Sequence, residues 1–96
     1  MSTDLATGFD LDRAWQLHSS VAVRPERFGA LLYHFGTRRL SFLKTPTLLA
    51  VVQGLEQQPS ARAAMTAAGV DDAEAAAYQR ALAGLAASQM ICERAA

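Results

Sequence analysis

The sequence predicts an α+β domain in which a three-stranded antiparallel sheet is followed by three helices. Three short runs rich in β-branched and aromatic residues lie in the first half of the chain, joined by connections of only a few residues. Parallel pairing would need a crossover of a dozen residues or more, so these runs most simply form a meander. The second half is rich in alanine and leucine, which is typical of helices. This order is winged-helix-like.

The three predicted strands cover residues 21–25, 30–35 and 40–44. Pro25 stops the first strand, and a Gly-containing turn separates the second from the third. The third strand has neither a proline nor a dense run of charges, which are the usual protections of a sheet edge. We therefore expect it at an open edge, where an extended peptide can dock.

Capping residues define the starts of the three predicted helices. Thr45 is a good N-cap followed by a proline at the first helical position, and Ser60 caps the second helix, which Gly69 closes. Asp71 and Glu74 are spaced as in a capping box and open a third helix that runs to about residue 89. Helical spacing places four residues on one face of that helix: Tyr78, Leu82, Leu85 and Gln89.

The length of 96 residues predicts one domain with a single core. We expect residues 1–12 to form a flexible lead-in pinned by Phe9 and Leu11, residues 13–91 to form the domain, and residues 92–96 to form a tail. The start lacks the features of a signal peptide, and no apolar run approaches the roughly 18 residues of a membrane span. A cytoplasmic protein is expected.

Charge and residue chemistry exclude several classes of function. Nine basic residues balance nine acidic ones, which is a poor match to nucleic acid or to a membrane surface. His18, His34 and Cys92 lack metal-ligand spacing, so no metal or other cofactor is expected. The sequence also lacks a catalytic arrangement, so the protein is not expected to be an enzyme.

Residues 33–44, Tyr-His-Phe-Gly-Thr-Arg-Arg-Leu-Ser-Phe-Leu-Lys, resemble the mycofactocin biosynthesis chaperones. These belong to the small peptide-chaperone family typified by the pyrroloquinoline-quinone peptide chaperone. Residues 21–26 and 28–30 support the resemblance, which extends from about residue 9 to residue 91, although the alanine-rich helical half is less specific.

The resemblance implies a recognition element for ribosomally made, post-translationally modified peptides. In that family the precursor's leader adds as a strand to the third sheet strand, in a cleft beside the third helix. The resemblance also implies delivery of the mycofactocin precursor peptide to a radical S-adenosylmethionine maturase, which holds the iron–sulfur cluster and nucleotide cofactor. The predicted peptide-binding residues are Arg38, Arg39, Leu40, Ser41, Phe42, Leu43, Lys44, Tyr78, Leu82 and Leu85.

Several of these residues have two interpretations. Strand alternation sends Leu40 and Phe42 to one face and Ser41 and Leu43 to the other, so one set belongs to the core. The helix leucines fit a core or a groove equally well, whereas the two arginines serve either the leader or a solvated surface. A proline at Ser41 is expected to remove one N–H from the free edge, so unchanged precursor affinity with an intact fold would argue against strand addition.

The alternative function is a winged-helix DNA-binding regulator, because that class of fold is shared. Its recognition helix would need several basic side chains for phosphate and base contacts. The second predicted helix offers only Arg62, and the third offers only Arg80. The sequence therefore favours a peptide chaperone.

Overall fold

The computed structural model describes residues 9–94. The elements in chain order are β1 (Trp15–Leu17), β2 (Val21–Glu26), β3 (Gly29–His34), β4 (Arg39–Leu43), α1 (Pro46–Gly54), a 3₁₀ turn (Leu55–Gln57), α2 (Ala61–Ala67), α3 (Asp72–Ala87) and β5 (Ile91–Glu93). Strands β2, β3 and β4 form an antiparallel sheet in that order. The predicted α+β architecture of a three-stranded antiparallel sheet and three helices is confirmed.

The caps that the sequence predicts are present at all three helices. Thr45, Ser60 and Asp71 each accept a hydrogen bond of 3.0 Å from the backbone N–H three residues further on. Gly69 closes α2 with a φ of 88°, in the left-handed region that favours glycine. Helix α3 ends at Ala87, two residues before the predicted end, because Gln89 adopts a left-handed φ of 64°.

Strands β1 and β5 form a separate antiparallel pair that the sequence did not predict. Each strand has three residues, too few for a clear alternation of apolar and polar side chains. The pair places Cys92 and Glu93, which were expected in the tail, opposite β1. The guanidinium of Arg94 then donates to the carbonyl oxygens of Glu56 and Gln58.

The core lies between the inner face of the sheet and the three helices. Leu32 and Leu43 from the sheet are fully buried, as is Leu82 from α3. Phe9 and Leu11, from the predicted lead-in, are buried in the same cluster; residues 1–8 lie outside the described region. Within residues 9–94, no helix has the length and hydropathy needed to cross a membrane.

Candidate functional site: an open strand edge and its groove

The position of Pro25 fixes which backbone groups of the sheet remain free. Pro25 pairs with Ala30 but has no N–H, so this pair is a non-hydrogen-bonded one. Hydrogen-bonded and non-hydrogen-bonded pairs alternate along an antiparallel ladder, so Leu31 and Tyr33 bond to β2. The same alternation requires Phe35 to bond to the β2 side, and its N–H does donate to the carbonyl of Ser20 at 2.8 Å. The remaining residues of β3 must therefore face β4.

On β4 the same alternation leaves the amides of Leu40 and Phe42 pointing away from the sheet. Their neighbour Ser41 pairs with Leu32, which faces β4, so the N–H of Ser41 is used inside the ladder. Strand β4 is an edge of the three-stranded sheet, as the sequence predicted. A proline at Ser41 is therefore the wrong probe of this edge, and Leu40 is the position to change.

A groove of about 520 Å³ lies between this edge and helix α3. The volume is within the range of roughly 300–1,000 Å³ that is typical of ligand sites. Its lining is mostly apolar and comes from β4, the start of α1 and one face of α3. The lining residues are Ser41, Phe42, Leu43, Lys44, Thr45, Leu48, Ala77, Tyr78, Ala81, Gly84, Leu85 and Ser88.

Small side chains on α3 keep the groove open. Ala77, Ala81, Gly84 and Ser88 occupy positions i, i+4, i+7 and i+11, so they share one helical face. None of these four residues is among those predicted from the sequence, because the larger side chains of the neighbouring face dominate the helical pattern. The spacing of the small residues is the signal that could have identified them.

Two contacts hold the groove at the carboxyl end of β4. The hydroxyl groups of Thr45 and Tyr78 are 3.3 Å apart, which joins the N-cap of α1 to α3. Gly29 passes close beneath the end of β4. A Cβ added to Gly29 would overlap the carbonyl oxygen of Leu43 and lie 2.9 Å from that of Thr45, so only glycine fits without a shift of the backbone.

Basic side chains flank the groove at its two ends. Lys44 lines the end next to Tyr78. At the other end, Arg39 lines a smaller cavity of about 230 Å³, and Ser88 borders both cavities. No ion-pair partner for Arg38, Arg39 or Lys44 is found among residues 9–94, so their charges are available to a ligand.

The structure brings six of the ten predicted residues to the groove: Ser41, Phe42, Leu43, Lys44, Tyr78 and Leu85. Leu82 is fully buried beneath the groove and contributes to the core. The amide of Leu40 lies on the open edge. Its side chain lies outside the groove, on the face of the sheet that points away from the core, and is 60% exposed. Arg38 occupies the β3–β4 turn, with a left-handed φ of 64°.

The histidines are neighbours in space, although they are far apart in the sequence. The rings of His18 and His34 lie 4.5 Å apart, and each Nδ1 accepts backbone N–H groups. An accepting Nδ1 in the neutral ring places the proton on Nε2, which leaves no lone pair there for a metal. Among the described residues, no group of three potential metal ligands is found.

Comparison with known proteins identifies the family. The model of the peptide chaperone MftB family matches residues 14–92. The chain belongs to this family. It is 63% identical to a peptide chaperone MftB of Mycobacterium ulcerans, covering 90% of this chain and 79% of the relative. No solved structure matches the chain.

Two further relatives carry the same name. The protein from Mycobacterium tuberculosis is 60% identical over 90% of this chain and 79% of its own length. The protein from Mycolicibacterium smegmatis is 56% identical over 95% of this chain and 91% of its own length. A peptide chaperone is not a catalyst, so membership of the family confirms the prediction of a non-enzymatic protein.

Proposed function

We propose that this protein binds the leader of the mycofactocin precursor peptide by strand addition to β4 and presents it to a radical S-adenosylmethionine maturase. The observation that carries the proposal is the open edge itself, where the amides of Leu40 and Phe42 face outward beside an apolar groove. The iron–sulfur cluster belongs to the maturase in this scheme, and the chaperone supplies no cofactor. Cytoplasmic location and the absence of a nucleic-acid partner stay predictions.

The groove is needed because backbone pairing alone is too weak. Four or five strand hydrogen bonds contribute about 0.5–1.5 kcal/mol each, whereas micromolar binding needs about 8 kcal/mol after association costs are met. Two or three leader side chains of leucine or phenylalanine size would add about 1.5–3 kcal/mol each on burial. The mostly apolar lining between β4 and α3 is suited to such side chains.

The shape and charge of the site define the leader segment that it would select. The segment should be extended, with apolar side chains at alternate positions, because alternate residues of an added strand face the groove. Acidic residues near its ends would meet Arg39 at one end of the groove and Lys44 at the other. A helical or strongly basic leader would fit this site poorly.

The test compares Leu40→Pro with Leu40→Ala in a calorimetric titration with the precursor peptide. Both changes remove the same side chain, which lies outside the groove, but only proline removes the outward N–H. Loss of one hydrogen bond of about 0.5–1.5 kcal/mol predicts a Kd that is about 2–13-fold higher for the proline variant than for the alanine variant.

Ser41→Pro serves as the control for the strand's other side. Its ring would replace an N–H used in the β3–β4 ladder, so it should lower stability by about 1–3 kcal/mol, which urea unfolding measures. Equal precursor affinities of the Leu40→Pro and Leu40→Ala proteins, with both folds intact, would contradict strand addition at this edge.

A further inference from the structure

A polar cavity continues the groove at the end where β4 begins. It measures about 230 Å³ and is lined by Thr37, Arg39, Ala87, Ser88 and Gln89. Ser88 lines this polar cavity and the groove alike, so the two spaces are adjacent. The groove is mostly apolar, whereas the polar cavity combines a guanidinium, an amide and two hydroxyl groups. The two spaces therefore fit different parts of one ligand.

The guanidinium of Arg39 and the side-chain amide of Gln89 are both available to a ligand. Within the described part of the chain, no hydrogen bond or ion pair of either side chain is found. The hydroxyl of Thr37 accepts the N–H of Arg39 at 3.4 Å and keeps its own proton to donate. These groups together offer one positive charge and several hydrogen-bond donors. A carboxylate matches them, because it accepts hydrogen bonds on both oxygens and pairs with arginine in a fork geometry.

Gln89 has a backbone conformation that glycine would adopt more easily. Its φ is 64°, whereas helix α2 ends with Gly69 at a φ of 88°. The two helix ends are otherwise alike, because the next residue donates to the carbonyl five positions earlier, at 3.0 Å for Val70 and 2.8 Å for Met90. Left-handed residues other than glycine concentrate at functional sites. The end of α3 thus carries a side chain where glycine would favour the fold, and this side chain lines the polar cavity.

The direction of α3 fixes the order of the two spaces along β4. Near the start of α3, the hydroxyl of Tyr78 lies 3.3 Å from that of Thr45, just after β4. Beyond its end, Ser88 lines the polar cavity together with Arg39, at the start of β4. A helical rise of about 1.5 Å per residue puts Ser88 about 6 Å beyond Gly84. Two residues of an added strand span about 6.6 Å and point to the same side, so they reach from the groove to the polar cavity.

The end of α3 does not attract an anion by itself. The last carbonyl groups of a helix carry about half a negative charge, which disfavours an anion nearby. The guanidinium of Arg39 carries a full positive charge in the same cavity, so its attraction exceeds this repulsion. The preference of the polar cavity for an anion therefore depends on one arginine.

We infer that the polar cavity binds a carboxylate side chain of the leader, held by Arg39 and Gln89, about two positions from the apolar side chain that lies beside Gly84. This inference rests on the proposed function, because it assigns one chemical feature of the same peptide. It makes Gln89 a specificity-determining residue, although Gln89 is not among the peptide-binding residues predicted from the sequence. The bound segment is then an alternating apolar strand that ends in an aspartate or a glutamate.

The experiment titrates the full-length chain with two peptides by calorimetry. One is the precursor of the same organism, and the other is that precursor with every leader aspartate and glutamate replaced by asparagine and glutamine. The wild type should bind the neutralised precursor about tenfold more weakly. Arg39→Gln should raise the Kd for the natural precursor about tenfold and that for the neutralised precursor less than about twofold, because a charge-assisted hydrogen bond needs both partners.

Arg80→Gln is the matched control for the loss of a positive charge. Arg80 lies on α3 outside both the groove and the polar cavity, so its removal should change either Kd less than about twofold. Raising NaCl from about 50 mM to about 500 mM should shrink the effect of Arg39→Gln on the natural precursor, because salt screens exposed charges.

Gln89→Gly separates binding from folding, because its two expected effects have opposite signs. Glycine should raise the urea midpoint by relieving the left-handed φ. Loss of the amide should raise the Kd for the natural precursor about fivefold. Gly69→Gln makes the reverse change at the end of α2, outside both spaces, so it should lower the urea midpoint and leave the Kd unchanged.

Four results would overturn the inference and leave strand addition intact. They are equal affinities of the wild type for the two peptides, an equal effect of Arg39→Gln on both peptides, equal losses of affinity in Arg39→Gln and Arg80→Gln, and a more stable Gln89→Gly protein with unchanged affinity. Equal affinities of Leu40→Pro and Leu40→Ala, with the effect of Arg39→Gln still confined to the natural precursor, would instead refute strand addition alone. Failure of the wild type to bind the precursor would refute both.

Discussion

The two edges of the three-stranded sheet differ in how many hydrogen-bonding groups they leave open. Along the β2 edge, the N–H of Val21 donates to the carbonyl of His18 at 3.0 Å and Pro25 has no N–H to offer, so Val23 alone presents an outward amide there. Along the β4 edge, the amides of Leu40 and Phe42 both face outward beside the groove. The same sheet is thus protected on one side and left open on the other, where capture of a peptide is proposed.

The largest expected effect comes from filling the groove beside the open edge. Gly84→Phe should weaken precursor binding by about 100-fold, because its ring would occupy the space for the leader's side chains. A Cβ at Gly84 meets no atom within 4 Å, and the groove that Gly84 lines provides space for the rest of the ring, so the fold should survive. Calorimetry measures the affinity.

Two controls separate groove filling from other effects of this change. Gly84→Ala leaves most of the groove free and should raise stability by about 0.5–1 kcal/mol through helix propensity. Gly54→Ala makes the same chemical change on α1, outside the groove. Tight precursor binding by a folded Gly84→Phe protein would show that the groove does not receive the leader.

Gly29→Ala should have the next largest effect, by displacing the end of the open edge. The new Cβ would overlap the carbonyl oxygen of Leu43, and overpacking of this kind costs about 1–3 kcal/mol. Urea unfolding measures the loss, with Gly54→Ala again as the control because its Cβ meets nothing within 4 Å. An unchanged midpoint would mean that the backbone shifts freely at this junction.

Pro25→Val would make the protected edge resemble the open one. It adds an outward N–H to β2 and restores conformational freedom to the unfolded chain, so stability should fall by about 0.4–1 kcal/mol. Light scattering at high protein concentration should show more self-association than in the wild type. If self-association does not change, proline is not what protects this edge.

The smallest expected effect comes from outside the three-stranded sheet, at the ion pair between Asp12 and Arg62. A hydrogen bond of 2.8 Å from the guanidinium and the attraction between the two charges hold the pKa of Asp12 below its ordinary value. The pair therefore stabilises the fold above that ordinary value, and the stabilisation is lost as the pH falls through the folded-state pKa.

Asp12→Asn tests this pair because an amide side chain carries no charge and does not titrate, so the variant lacks the pH-dependent part of the stabilisation. The difference in unfolding free energy between wild type and variant should shrink between about pH 5 and about pH 2, while precursor affinity at neutral pH stays unchanged. Denaturant unfolding at several pH values measures it. A difference that is independent of pH would assign the effect to packing rather than to charge.

The amino-acid sequence by itself determined the local features of this protein. Thr45, Ser60 and Asp71 mark the helix starts, because a side-chain oxygen that caps a helix acts over three residues. The strand pattern likewise predicted β2, β3 and β4, and residues 33–44 carried the family resemblance.

Only the tertiary structure decided the features that join distant segments. The β1–β5 pair joins the two ends of the described chain, and strands of three residues carry no pattern strong enough to predict it. The role of Leu82 in the core and of Ala81 in the groove depends on how α3 is rotated against β4. The phase of the β2–β3–β4 ladder decides that the N–H of Leu40, and not that of Ser41, is free, because hydrogen-bonded pairs alternate only once register is set.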